Sequence, residues 1–167
     1  RAPLPRRNAR RRQALRACGD EPLARKLALE AIEAPLLAQD SGAIFRALYE
    51  RAGVVSFLGE LEDPKLFGNI DRLTRSEVLE ECREKLIGAA KAEDKEQYDF
   101  PVGNLERMAI LALARTGGPK SIPRLKEIYA DGDIGDRIVA AMGLYALGDD
   151  TGIDLVRRFA EHRELEN

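Results

Sequence analysis

The chain has 167 residues, of which 44% are apolar and 34% charged, and its net charge is −2. This length supports one domain with a sizeable core, and the high charge suits helices with solvated faces. Trp is absent and aromatic residues make up only 5%, so the core must rely on Leu, Ile, Val and Ala. No run approaches the roughly 18 apolar residues of a membrane-spanning helix, so the sequence predicts an intracellular protein, soluble or peripheral, without a transmembrane segment.

The N-terminal segment differs in charge from the rest of the chain. Residues 1–19 contain seven arginines and no acid, so the remainder of a chain of net charge −2 carries −9. A remnant of a plastid or mitochondrial transit peptide would be Arg-rich and acid-poor in this way, although such peptides are usually also rich in serine. A basic arm that binds nucleic acid or an acidic protein surface is a second interpretation. In a third, Arg10, Arg11 and Arg12 are the exposed side of a first helix.

Gly19 fits the end of a helix that would use Ala14, Leu15 and Cys18, and further helices are predicted at residues 20–33 and 40–52. In the helix at 20–33, Pro22 fits the first turn, where its missing N–H costs nothing. The spacing of Leu23, Leu27 and Ala31 predicts that these three residues form the buried face. The helix at 40–52 is expected to end at Gly53.

The next segment, 54–73, is predicted to be irregular, with a short helix followed by an ordered loop. Glycine and proline interrupt any long helix in it. Its apolar side chains form an exposed-looking set that is a candidate contact surface for a partner. The residues in question are Phe57, Leu58, Leu66 and Phe67.

Two further local patterns lie between residues 74 and 103. Thr74 and Glu77 match a capping box, in which the Thr hydroxyl accepts from a first-turn N–H and the Glu reaches back. This pattern predicts a helix from Thr74 to about residue 92. Residues 92–103 are polar and contain Pro101 and Gly103, so they are predicted to be a loop that leads to a helix capped by Asn104.

The last third of the chain is regular and contains an internal repeat. A shift of 31 residues aligns apolar and small residues of two helix–turn–helix units within 104–167. The aligned pairs are Ala109 and Ala140, Leu113 and Leu144, Gly117 and Gly148, Ile122 and Ile153, Leu125 and Val156, and Ile128 and Phe159. Neither unit could bury its apolar face alone, so the repeat predicts stacking, and small residues would let neighbouring helices approach closely.

The second unit resembles a short HEAT-like repeat of the kind found in the phycobilin-lyase HEAT family. The resemblance lies in Arg137, Ala140, Ala141, Leu144, Leu147, Gly148 and Asp149, followed by Ile153 and Val156. It implies an all-α fold, a HEAT-like α-solenoid of stacked antiparallel helix pairs. Residues 20–103 would then hold degenerate repeats with an irregular insertion near 54–73. The resemblance does not fix a function, because such repeats serve scaffolds, lyase subunits and adaptors alike.

No catalytic constellation is visible in the sequence. His162 is the only histidine, and the two cysteines, Cys18 and Cys82, are predicted to be buried reduced thiols. The Asp131-Gly132-Asp133 stretch suggests calcium at first sight, but it lacks the later bidentate Glu of an EF-hand and is explained by caps and turns. This composition does not fit HEAT-fold hydroxylases, which use repeated His-Glu pairs. It also does not fit HEAT-like DNA glycosylases, which use Trp. The sequence therefore predicts no cofactor and no enzyme.

The function predicted from the sequence is a non-enzymatic interaction module or scaffold that binds another protein within a larger assembly. Lys126 and Arg157 occupy equivalent repeat positions and could form a short basic ladder for an acidic partner, or could be ordinary solvated residues. A subunit of an E/F-type phycobilin lyase, or a related tetrapyrrole handler, is an alternative that the resemblance implies. RNA binding through residues 1–19 is another.

Overall fold

A computed structural model describes residues 21–33, 41–89 and 95–165, and this part of the chain is helical without a strand. The predicted all-α class is therefore confirmed. The helices are α1 (Glu21–Glu33), α2 (Ser41–Leu61), α3 (Phe67–Arg72), α4 (Ser76–Ala89), α5 (Lys95–Gly117), α6 (Ile122–Asp131), α7 (Ile134–Ala146) and α8 (Ile153–Leu165). Short 3₁₀ turns, Pro64–Leu66 and Gly118–Ser121, precede α3 and α6.

The helix α2 continues through Gly53, so the predicted end at this residue is wrong. Gly53 is exposed and a side chain added there would meet nothing. The following turns bury Val55 and Leu58 completely. Burial of two large apolar side chains outweighs the ~1 kcal/mol that a glycine costs inside a helix. The first third of the predicted irregular segment is therefore helix, and only residues 62–66 interrupt the helices before α3.

The start of α5 also differs from the sequence-based expectation. The helix begins at Lys95, so the predicted loop at 95–103 and the cap at Asn104 are wrong. Pro101 lies inside the helix and is buried, next to the fully buried Val102. Packing against the core keeps this segment helical despite the hydrogen bond that proline cannot make.

Two smaller predictions in the first half are also wrong. The hydroxyl of Thr74 does not cap α4, which begins at Ser76, but donates to the carbonyl oxygen of Asp71 at 2.8 Å. In α1 the buried residues are Ala28 and Ile32, whereas Leu27 is 55% exposed. The spacing of apolar residues predicted the helix correctly but pointed to the wrong face.

The helix α5 is the centre of the described fold, since α2, α3, α4 and α7 all pack against it. Its inward side chains form much of the core. The fully or almost fully buried members are Val102, Leu105, Ala109, Ile110, Ala112 and Leu113.

The three helices α2, α5 and α7 lie side by side and run in the same direction. Tyr49 of α2 lies beside Phe100 of α5, with ring centroids 6.4 Å apart, and further along both helices Gly59 lies against Ala112. In the same way Arg107 of α5 contacts the start of α7, and Ala114 lies against Gly143. The helix α6 runs opposite to α7, because Leu125 contacts Gly143 while Tyr129 lies under Arg137 near the other end of α7.

Small residues set the spacing between these three helices. A Cβ atom added to Gly59 would lie 2.8 Å from the Cβ of Ala112, and one added to Gly143 would lie 3.1 Å from the Cβ of Ala114. Ala112 and Gly143 are separated by 31 residues, which is the period predicted from the sequence. The two close contacts therefore fall at one position of the predicted repeat.

Candidate interaction surface

An exposed apolar surface lies on α7 and α8, and we call it the α7–α8 face. Its large side chains are Ile134, Met142, Tyr145 and Phe159. The rest of α7 explains how these residues become exposed. Gly143 meets α5, and Ala140 and Leu144 enter the core, so the side of α7 that bears Tyr145 faces away from the other described helices.

Residues of the α7–α8 face are exposed where their counterparts in the predicted repeat, 31 residues earlier, are buried. Tyr145 is 58% exposed, while its equivalent, Ala114, is 6% exposed and receives Gly143 of α7. Phe159 is 47% exposed, while its equivalent, Ile128, is 8% exposed. The helix pair α7–α8 covers the preceding unit, but no described helix covers α7–α8 in turn.

The turn between α7 and α8 is held by local polar contacts. The helix α7 is followed by Gly148 at φ +85, and the Asp149 carboxylate accepts from the Thr151 N–H at 2.9 Å. The second oxygen of Asp149 pairs with the Lys126 ammonium at 2.8 Å. Hydrogen bonds from Lys126 and Thr151 lower the pKa of Asp149 to about 2. The sequence predicts a helix–turn–helix unit here, and the turn between the two helices is confirmed.

The apolar residues of segment 54–67 do not form the exposed surface that the sequence predicts. Leu58 is 0% exposed and Leu66 is also in the core. Phe57 and Phe67 are half-buried against the core, with Phe67 packed on Gly117. The expectation of an exposed apolar segment is therefore wrong, because amphipathic packing turns these side chains inward.

The predicted basic residues each have an acidic neighbour. Lys126 pairs with Asp149, and the exposed Arg157 pairs with Asp154 at 2.9 Å within α8. A basic ladder for an acidic partner stays a prediction. Arg10, Arg11 and Arg12 lie outside the described residues, and so does Cys18, whereas Cys82 is a buried reduced thiol as expected.

A cluster of charged residues joins α4, α5 and α7, and sequence reasoning missed it. Arg83 of α4 lies 3.7 Å from the Glu106 carboxylate of α5. Arg107 of α5 lies 3.5 Å from Asp136 and 3.4 Å from Asp133 at the start of α7. Asp133 also caps α7 by accepting from the Asp136 N–H at 2.8 Å, which confirms its predicted capping role. Helical spacing within one element could not have revealed contacts among three helices.

Burial changes the protonation of this cluster. Desolvation by burial, together with the nearby charge of Asp136, raises the pKa of Glu106 to about 7. Loss of water, together with Asp133, raises the pKa of Asp136 to about 6. Two carboxyl groups that titrate near neutrality could exchange protons with a substrate, but such chemistry needs a cavity beside them. One cavity, of about 200 Å³, lies between α1 and α3 and is lined by Ile32, Glu33, Gly68, Asn69, Arg72 and Leu73, away from these two carboxyl groups.

Comparison with known proteins gives no relative. No protein family matches the chain, and neither a curated protein nor a solved structure matches it. None of the described helices is long and apolar enough to cross a membrane. Within 21–33, 41–89 and 95–165, no group of three or more His, Cys, Asp and Glu side chains is placed to hold a metal ion.

Proposed function

We propose that the chain is a non-enzymatic interaction module, a HEAT-like α-solenoid segment that binds another protein through the α7–α8 face. One observation carries the proposal: Tyr145 and Phe159 are exposed at repeat positions where Ala114 and Ile128 are buried. Large apolar side chains exposed on two neighbouring helices support a protein contact, because exposed apolar surface marks interaction sites.

The contacts among the helices support the solenoid part of the proposal. Parallel α2, α5 and α7, with α6 antiparallel beside α7, give the order expected of stacked helix pairs. In a repeat stack each unit contacts its neighbours, so the outer side of a unit is covered in the assembled protein. The α7–α8 face presents Ile134, Met142 and Tyr145, which supports a surface that is covered in this way.

The contacts that α7 makes with the preceding helices indicate what kind of partner surface fits the α7–α8 face. There the helix α7 approaches Ala114 closely through Gly143, and Arg107 pairs with two aspartates of α7. The equivalent of Ala114 on the α7–α8 face is the exposed Tyr145, so a close glycine contact is replaced by a large aromatic side chain. A partner helix with an apolar residue at this position, at a wider separation from α7, satisfies this chemistry.

Site-specific photo-crosslinking tests the proposed surface. A photoreactive amino acid replaces Met142 in one variant and Arg46, an exposed residue of α2, in the control. The full chain is irradiated in an extract of its source and the products are identified by mass spectrometry. We expect one protein to be captured from position 142 and not from position 46. Equal capture from both positions, or none from 142, would refute the proposal.

A further inference from the structure

The charged cluster that joins α4, α5 and α7 contains a buried carboxyl group without a hydrogen-bond donor. Asp136, in the first turn of α7, is 5% exposed, and its Oδ1 atom is buried with no hydrogen-bond partner. The Nε atom of Arg107 lies 3.5 Å from this oxygen, and the same guanidinium lies 3.4 Å from Asp133. One positive charge therefore serves two carboxylates. An ionised carboxylate is costly in such a place, because a buried charge needs both a partner and hydrogen bonds.

The helices α5 and α7 approach each other closely at this cluster. A Cβ atom added to Gly135 would lie 2.7 Å from the Nε atom of Arg107, so the first turn of α7 rests directly on the guanidinium. Arg83 of α4 lies 3.7 Å from Glu106 and 3.5 Å from Glu80, so its charge is also shared. At this junction of three helices, the described carboxyl groups outnumber the guanidinium groups that pair with them.

Protonation removes the cost of the buried charge. Burial is the main reason why the pKa values of Glu106 and Asp136 rise to about 7 and about 6. The charge of Asp133 adds to the rise, as does that of Asp136 for Glu106, whereas Arg83 and Arg107 oppose it without cancelling it. A protonated Asp136 can also donate to the Asp133 carboxylate, which gives its side chain the missing hydrogen bond. The charged residue that ends α6 and those in the described part of α8 are exposed, where solvent screens their effect.

We infer that the charged cluster is a pH-sensitive switch: the start of α7 stays docked on α5 while Glu106 and Asp136 are protonated, and lifts away when they lose their protons. In the lifted state water reaches both carboxyl groups, so their pKa values return towards the ordinary values near 4. The docked state therefore holds more protons between about pH 4 and about pH 7, and docking weakens as pH rises through this window. The switch lies within this chain, so it does not depend on which partner covers the α7–α8 face.

The opposite end of α7 has contacts that pH does not change in this range. There Gly143 packs on Ala114, and Arg124 at the start of α6 donates to the carbonyl oxygen of Thr74 at 2.7 Å. These contacts keep the far end in place, so the movement is confined to residues 131–141. Local openings of this kind cost less free energy than global unfolding.

Hydrogen exchange of the full chain followed by mass spectrometry tests the switch. Rates are expressed as protection factors, which remove the pH dependence of the chemical exchange itself. We expect the protection factor of amides 134–141 to fall about tenfold between pH 6 and pH 8, allowing for partial solvent screening. It should depend only weakly on low concentrations of urea, because a local opening exposes little surface. Amides near Leu58 in α2, which open with the whole chain, should depend steeply on urea at both pH values.

A variant that cannot ionise at the two positions gives the decisive comparison. The double change Glu106→Gln and Asp136→Asn keeps both shapes, so the protection of amides 134–141 should no longer change between pH 6 and pH 8. Asp154→Asn removes an acid that is 77% exposed on α8 and should keep the wild-type pH dependence. Urea unfolding at pH 6 checks that each variant folds. If the double variant does not fold, Glu106→Gln alone should reduce the tenfold change.

Three results would overturn the inference. The first is a protection factor of amides 134–141 that does not change with pH in the wild-type chain. The second is a urea dependence of these amides as steep as that near Leu58, because the cluster would then open only by global unfolding. The third is an unaltered pH dependence in the double variant or, where only the single variant folds, in Glu106→Gln.

Discussion

At the scale of single residues, Glu106 is the group whose ionisation most directly affects stability. Burial raises its pKa to about 7 in the folded chain, while in the unfolded chain it titrates near its ordinary value of 4.5. Between these two values the folded state holds more protons than the unfolded state, so the free energy of unfolding falls as pH rises through this window. Below about pH 4 the carboxyl is protonated in both states and the effect disappears.

Glu106→Gln should therefore stabilise the chain at alkaline pH. Glutamine keeps the shape but cannot ionise, so we expect the variant to exceed the wild type by about 1–2 kcal/mol at pH 8, allowing for partial solvent screening. The difference should shrink towards zero near pH 4. Urea unfolding across this pH range measures it, with Glu30→Gln on the exposed side of α1 as the control. A difference that does not change with pH would contradict the proposed burial effect.

At the scale of helices, the close approach of α2 to α5 depends on Gly59. An added Cβ would lie 2.8 Å from both the Cα and the Cβ of Ala112, and helix backbones cannot yield there as a flexible side chain can. We expect Gly59→Ala to lower the free energy of unfolding by about 1–3 kcal/mol. The same change at Gly53, in the same helix but with open space around it, should raise this free energy by about 0.5–1 kcal/mol. Urea unfolding of both variants compares them, and a similar loss in both would rule out the helix contact as the cause.

The helices also show which features a sequence can predict. The turn after α7 was predicted correctly because Gly148 and Asp149 act through their own backbone conformation and local hydrogen bonds. The continuation of α2 through Gly53 was missed, since its cause is the burial of Val55 and Leu58 by distant helices. The same reason explains why Leu58 was mistaken for a surface residue.

The predicted repeat rests on the spacing of like residues in the sequence, and Ala112 and Gly143, which this spacing relates, both lie at close helix contacts. The α7–α8 face could not be located in the same way. Tyr145 and Ala114 both satisfy the repeat pattern, and only the helices around them decide that one is exposed and the other buried.

At the scale of the whole molecule, the unequal surroundings of the helices predict unequal local stability. The helix α5 is packed on several sides by α2, α3, α4 and α7, whereas α8 packs chiefly on α7 and its apolar residue Phe159 is half exposed. Amide hydrogens exchange through openings whose free energy ranges from near zero in weakly packed helices to the global value in the core. We expect the slowest exchange in α5 and much faster exchange in α8.

Hydrogen exchange followed by mass spectrometry measures the two rates. Equal protection of α5 and α8 would contradict the prediction, because it would mean that α8 opens only when the whole chain unfolds.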